Sequence, residues 1–520
     1  MHPRKFIRDS LGLALTQYLI RALLMARGIV AARLLGPLPY GAWNALQLVI
    51  EYGTTLPQMG TQQGLDQAVP ARIVEGDAGR LERLERAGLF NILVLTAVFA
   101  GGWVVQAMLR PNRFLEFWGP SGLLLAGIVI LATNLSYYHT TLLRSHGKIN
   151  AVSGWFFVQG VVGTVLGLAL IPGFGAWGLL AGWTAGTVAA TITVRIQGRR
   201  EVPIVPRPGR DGLSLVRVGL PMFIFGASSQ VMRSFDRLII LRYLGTLDLG
   251  YYGLSVMALN FMLYLPDSVT YVLYPRLLRD FRHHDRRPEA IRGQIERSLR
   301  ALAVVVPALS GVAYLFAREA IVLVLPKFLP GVTAARVLCF GACGLTLANL
   351  SSIVLMTLGR QNVLVPVAVG MTALGAWLDY AAVRSGFGID GVARMTLLTY
   401  VLNGGVLLWL ACQGLRIAGA DRARLLARAI MPLFVGFALV YVIDKALPWS
   451  QDMPRSLLVL RLLAALALFA ALYGAAVAPL VRGLGLKQVL REMSLMMPRV
   501  RRPGSQAEPA PEPPEPRVEP

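Results

Sequence analysis

Seven ionisable side chains fall inside stretches otherwise apolar enough for a bilayer interior: Arg21, Arg27, Glu51, Arg233, Asp236, Arg237 and Asp267. A charge at that depth is costly unless it meets a partner, water or a substrate, so each is a candidate for function. The guanidinium fork pairs well with phosphate and carboxylate, which makes Arg21, Arg27, Arg233 and Arg237 candidate ligands for an anionic, diphosphate-bearing or glycan substrate. Carboxylates that take up and release a proton or Na⁺ can couple movement to a gradient, and Glu51, Asp236 and Asp267 are the candidates for that role. Arg233 and Arg237 stand four residues apart and share one face of a continuous helix. Arg21 and Arg27 differ by about 120° around a helix and about 9 Å along it. The structural alternative is internal pairing, Arg237 with Asp236 or with Glu51, which would hold helices together without touching a substrate. Against it stands the excess of arginine over acid in this set, which calls for an anion.

Other chemistries lack their residues. Cys339, Cys343 and Cys412 lie in apolar runs without further ligands, and His283-His284-Asp285 has no metal-ligand spacing beyond it, so no metal site is expected. Gly173-Phe174-Gly175-Ala176-Trp177-Gly178 fits G-x-G-x-x-G but joins two membrane helices and follows no strand, and no Walker A sequence is present. No catalytic residues and no cofactor are expected.

The elements that must position the charges are membrane helices. With 55% hydrophobic and 15% charged residues in 520, the chain belongs in a bilayer. The net charge of +23 suggests nucleic acid only until the arginines are seen to lie between apolar spans. About fourteen such spans run between residues 10 and 481. Arginine crowds the even-numbered connections, for example Arg276, Arg279, Arg282, Arg286 and Arg287, which places both termini in the cytoplasm under the positive-inside rule.

The spans are duplicated. Arg33-Leu34-Leu35-Gly36 with Gly41 returns as Arg242-Tyr243-Leu244-Gly245 with Gly250, at an offset of 209. Gly147-Lys148-Ile149-Asn150 returns as Gly359-Arg360-Gln361-Asn362 at 212, and the Gly173–Gly178 turn returns as Gly386–Gly391 at 213. Six spans separate the copies, so both enter the membrane in the same orientation, as in transporters that rock two halves around a central site. The expected organisation is an N-terminal six-helix lobe (1–196), a linker (197–214), a second six-helix lobe (215–412), two additional helices (413–482) and a tail (483–520). Arg33 and Arg242 are expected to snorkel to headgroups, the motif glycines to allow tight turns, and Pro70 and Pro275 to end the second helix of each repeat. Asp379 and Arg384 read equally well as interfacial or functional. The first helix carries no small-residue cleavage site and is expected to be retained. Lys487–Arg502 reads equally well as a basic amphipathic helix on the membrane surface or as a plain short cytoplasmic helix, and Pro503–Pro520 as a disordered Pro/Glu-rich segment.

Arg33-Leu34-Leu35-Gly36-Pro37 with Tyr40-Gly41, Leu220-Pro221, Asp236-Arg237, and Arg242-Tyr243-Leu244-Gly245 with Leu249-Gly250-Tyr251-Tyr252 resemble the polysaccharide (Wzx-like) flippases of the multidrug/oligosaccharidyl-lipid/polysaccharide exporter superfamily. The resemblance covers about 10–480. It implies an all-α, V-shaped, two-lobe transporter with a cationic cavity, in the bacterial inner membrane. It also implies passage of an undecaprenyl-diphosphate-linked oligosaccharide to the periplasmic leaflet, with membrane lipids and the polysaccharide polymerase or export machinery as partners. The rivals are a lipid II flippase, a cation-coupled drug exporter, for which an acidic cavity would suit better, and a membrane glycan polymerase, glycosyltransferase or assembly scaffold.

Overall fold

The computed structural model describes residues 3–109, 113–198, 202–203, 205–284, 287–447 and 454–481. The basic segment and the Pro/Glu-rich tail after 481, and part of the 197–214 linker, lie outside them. Among the described residues every regular element is helical, because a chain crossing lipid must satisfy its backbone polar groups within itself. In order these are α1 (Pro3–Leu35), α2 (Pro37–Thr55), α3 (Thr61–Glu75), α4 (Ala78–Leu109), α5 (Arg113–Ser145), α6 (Ile149–Phe174) and α7 (Ala176–Gln197). The second half holds α8 (Arg210–Met232), α9 (Phe235–Ile239), α10 (Thr246–His283), α11 (Glu289–Val324), α12 (Val332–Cys339), α13 (Gly341–Thr357), α14 (Leu364–Arg384) and α15 (Gly388–Gly414). Two more, α16 (Gly419–Ala446) and α17 (Arg455–Val481), pack on α11.

Among the described residues twelve helical segments, from α4 onward, are long and apolar enough to cross a membrane, so the chain is a multi-pass membrane protein, and the expected count of fourteen is not confirmed. The expected second span is interrupted by a tight 3-10 turn at Leu56–Gln58, after which Met59 (φ 38°) and Gly60 (φ 84°) turn left-handed before α3 starts. α1 falls outside the count as well, and its side chains before residue 19 are not described.

The duplication is visible in the backbone. Gly36 (φ 77°, ψ 176°) caps α2 and Gly245 (φ 105°, ψ −175°) caps α10, in a region open essentially to glycine alone. The other two repeated marks carry the same device, Gly147 (φ 75°) with Gly359 (φ 71°) and Gly175 (φ 56°) with Gly388 (φ 58°). Pro70 and Pro275 do not end helices as expected. Both lie inside, in α3 and α10, since neighbouring groups in a membrane bundle re-satisfy the freed carbonyls.

Three apolar cores hold the bundle. One fills the second half and extends to α16 and α17, one surrounds Trp43, Trp118 and Leu179, and one lies around Leu65, Tyr138 and Val194. The halves meet mainly where α2 crosses α10 and α3 crosses α8.

Candidate functional site

Two glycine seams close the junction between the halves. At the end bearing the Gly36 and Gly245 turns, a Cβ on Gly41 would overlap the Thr246 carbonyl, and one on Gly250 would overlap the Pro37 carbonyl. The two copies of the repeated motif are thus packed on each other. At the opposite, arginine-rich end, a Cβ on Gly64 would strike the Leu215 carbonyl and one on Gly219 the Gly60 carbonyl. Close backbone approach of this kind is how small residues pack membrane helices.

Between the seams lie most of the intramembrane charges, in two groups. In one, Glu51 of α2 accepts from Arg237 Nη2 at 3.2 Å and from the Gln230 amide, while Tyr52 and Ser234 hydroxyls meet at 2.7 Å. Asp236, only 2% exposed, accepts from the Arg237 backbone N–H and from the Tyr252 hydroxyl, each at 2.7 Å. Arg237 is therefore held across the junction, as the internal-pairing alternative proposed.

In the other group, Arg21 of α1 lies 5.1 Å over the Tyr264 ring, and Asp267 stands within electrostatic reach of both Arg21 and Arg233 while accepting from the Asn349 amide at 3.1 Å. Neither Arg21 nor Arg233 makes a salt bridge among the described residues, and Arg233 is exposed. The shared helix face expected for Arg233 and Arg237 is absent. α8 ends at Met232, Arg233 caps it, and Ser234, whose hydroxyl turns back to the Gln230 carbonyl at 2.8 Å, separates it from α9. The two arginines consequently serve different groups. Arg27 joins neither group. Its electrostatic neighbour is Tyr40 beside the Gly41 seam. Arg33 and Arg242 are exposed near the turns.

A family model described as polysaccharide biosynthesis protein matches residues 30–328, more than half of the chain. The chain belongs to that family. The match includes Glu51, Arg233, Asp236, Arg237 and Asp267 and leaves Arg21 and Arg27 outside. No curated protein matches the sequence. Among solved structures, this family member is similar to the lipid II flippase MurJ in an inward closed conformation, with a TM-score of 0.62, 12% identity, 90% of this chain and 99% of that chain covered. It is also similar to an outward-facing multidrug resistance MATE transporter of the MOP superfamily, with a TM-score of 0.57, 14% identity and 82% and 99% coverage. A third likeness is to a MOP superfamily transporter from Pyrococcus furiosus, with a TM-score of 0.52, 16% identity and 82% and 96% coverage. At these identities the likeness shows the fold, which is that of MurJ and MATE transporters.

Two features of this polysaccharide biosynthesis family member were not expected from its sequence. Asp379 of α14 is 3% exposed, contacts the Thr396 hydroxyl at 3.4 Å and has Asp236 as its charged neighbour, with no arginine or lysine paired to it among the described residues. It is a buried carboxylate. Counting it, four acids stand with three arginines at the junction, since Arg27 joins neither group, so the expected excess of arginine exists only locally, around Arg21 and Arg233. Asp236 and Asp379 are buried carboxylates within electrostatic reach of each other, each with a hydroxyl partner of its own, Tyr252 for Asp236 and Thr396 for Asp379. No cluster of three or more His, Cys, Asp or Glu able to hold a metal occurs among the described residues.

The second feature is a charge network away from the junction. Asp444 of α16 accepts from Arg318 at 2.9 and 3.1 Å, from Arg336 at 3.0 Å and from Arg461 at 3.1 Å. Arg461 also binds Glu319 and the Leu447 carbonyl, and Arg336 lies 3.9 Å over the Tyr314 ring. It joins α11, α12, α16 and α17.

Proposed function

We propose that the chain is a flippase that carries a polyprenyl-diphosphate-linked oligosaccharide from the cytoplasmic to the periplasmic leaflet of a bacterial inner membrane, with both termini cytoplasmic. The observation that supports this reading is the pairing state of Arg21 and Arg233. They come from opposite halves, share one carboxylate, and form no salt bridge among the described residues. A diphosphate between them would replace Asp267 as their partner and link the halves, and arginine meets phosphate with charge-assisted hydrogen bonds. The glycine seams on either side suit alternating access, since each is a flat backbone contact that opens without tearing interlocked side chains. A substrate with about two negative charges gains roughly 4–5 kcal/mol per 100 mV on moving to the positive side.

Asp236 and Asp379 are the carboxylates best suited to a coupling proton or Na⁺, ahead of Glu51, which is tied to Arg237, and Asp267, which faces the arginines. A second reading, a lipid II flippase, rests on the likeness to MurJ. It uses the same diphosphate site and differs in the sugar. A drug-exporting reading has less support, because two unbridged arginines repel cationic substrates.

The test is translocation in proteoliposomes. Outer-leaflet appearance of a polyprenyl-diphosphate oligosaccharide is compared for the native chain and for Arg21→Gln with Arg233→Gln, with lipid II as competitor. Transport by the native chain and loss in the variant support the reading. Equal rates remove the arginines from it, transport of neither lipid removes the substrate class, and preference for lipid II selects the second reading.

A further inference from the structure

A cavity of about 180 Å³ lies away from the junction at the arginine-rich end, between the start of α11 and the start of α16. Arg292 and Arg300 enter it from α11, and Arg424 and Arg428 from α16. Glu296 is shared by Arg292 at 2.8 Å and Arg300 at 3.2 Å, and Asp421 holds Arg424 at 3.2 Å. Four guanidinium groups thus face two carboxylates, and Arg428 has no partner among the described residues. The loop that shapes one wall is strained. Arg416 takes φ 56°, a conformation few side chains adopt, and the turn carries Ile417 into the lining.

The pocket is amphipathic. Leu299, Leu425 and Ala429 line it beside the arginines, and Met431, one turn along α16 from Arg428, is 44% exposed. A free anion needs the cations alone, whereas a molecule with a charged head on an apolar chain uses both surfaces. We infer that this pocket binds the phosphate headgroup of an acidic membrane phospholipid, with its chain running along α16. Basic pockets between membrane helices are suited to such lipids. The site holds α16 to α11 at one end, as the Asp444 network does near the other, and is independent of the transported substrate.

The test uses the purified full-length chain in detergent, titrated with phosphatidylglycerol, cardiolipin or phosphatidylcholine and read by native mass spectrometry. The acidic lipids should be retained and phosphatidylcholine lost. Arg424→Gln with Arg428→Gln should weaken acidic-lipid retention by roughly 10- to 100-fold, while Arg80→Gln with Arg83→Gln, which removes the same charge at the same end, should change it by less than about threefold. Arg428→Gln alone, at an exposed position, keeps the test valid if the double variant misfolds and should weaken retention by about fivefold. Equal losses in the pocket and control variants overturn the proposal. So does displacement of the lipid by inorganic phosphate at equal concentration, which would make the ligand a free anion. Because binding is read without transport, the result does not depend on the proposed flippase activity.

Discussion

Two regions of the molecule gather arginine between helices, and each treats it differently. In the flank network of α11, α12, α16 and α17, three arginines converge on Asp444 and Glu319, and the Arg461 and Glu319 side chains are 8% and 2% exposed. In the junction, Arg237 is bridged, but Arg21 and Arg233 form no salt bridge among the described residues; they share the electrostatic reach of Asp267, and Arg21 lies over the Tyr264 ring. Arginines already bridged to carboxylates have fewer donors left for a ligand, whereas arginines without a salt bridge keep theirs. What separates the flank arginines from the proposed substrate-binding ones is therefore pairing, more than depth.

On that contrast, the largest effect on stability is expected at the flank. Asp444→Asn leaves three arginines around a single acid, and removing one partner of a buried network costs about 3–5 kcal/mol. Thermal unfolding in detergent should show this loss, with transport per folded molecule unchanged. A variant that unfolds normally but stops transporting would put the flank in the working mechanism.

The junction should show the reverse. Arg21→Gln with Arg233→Gln removes two charge-assisted contacts worth about 1.5 kcal/mol or more each, so transport should fall roughly 100-fold. Stability should move by less than about 1 kcal/mol, because neither arginine closes an ion pair. Comparable unfolding losses in this variant and in Asp444→Asn would erase the distinction.

A smaller effect is expected at the seam. Gly41→Ala forces α2 away from the Thr246 carbonyl and should cost about 1–3 kcal/mol as overpacking does. It should also speed thiol labelling of a cysteine placed at Thr246, against a background of three native cysteines that are all buried. Unchanged labelling with lowered stability would mean that the seam is fixed packing and not a gate.

How far these regions could be read from sequence differs for physical reasons. The duplication was legible because each repeated turn needs a backbone only glycine adopts, at Gly36 and Gly245, Gly147 and Gly359, Gly175 and Gly388. The intramembrane charges were legible as well, because hydrophobic surroundings mark them. The break between Arg233 and Ser234 was not, since neither glycine nor proline announces it and Ser234 makes the turn through its own hydroxyl. The flank network was illegible because Arg318 and Asp444, paired at 2.9 Å, are separated by 126 positions in the chain. Asp379 was ambiguous for the same reason, as its neighbour Asp236 lies on another helix.

The smallest effect sharpens the contrast most, because Glu51 and Arg237 form a bridge of the flank type set in the junction. Glu51→Gln keeps an oxygen to accept from Gln230 and removes only the charge facing Arg237. The Glu51 side chain is 34% exposed, so solvent screens the pair and its loss should cost no more than about 1 kcal/mol. Arg237 would then be a third unbridged arginine beside Arg21 and Arg233, and a diphosphate substrate should bind a few-fold more tightly, equivalent to about 1 kcal/mol or less. The measurement is substrate affinity together with unfolding temperature. Tighter binding at nearly unchanged stability shows that Glu51 competes with the substrate for Arg237. A loss of several kcal/mol with unchanged affinity shows that the bridge belongs with the flank network, and that pairing alone does not sort the arginines.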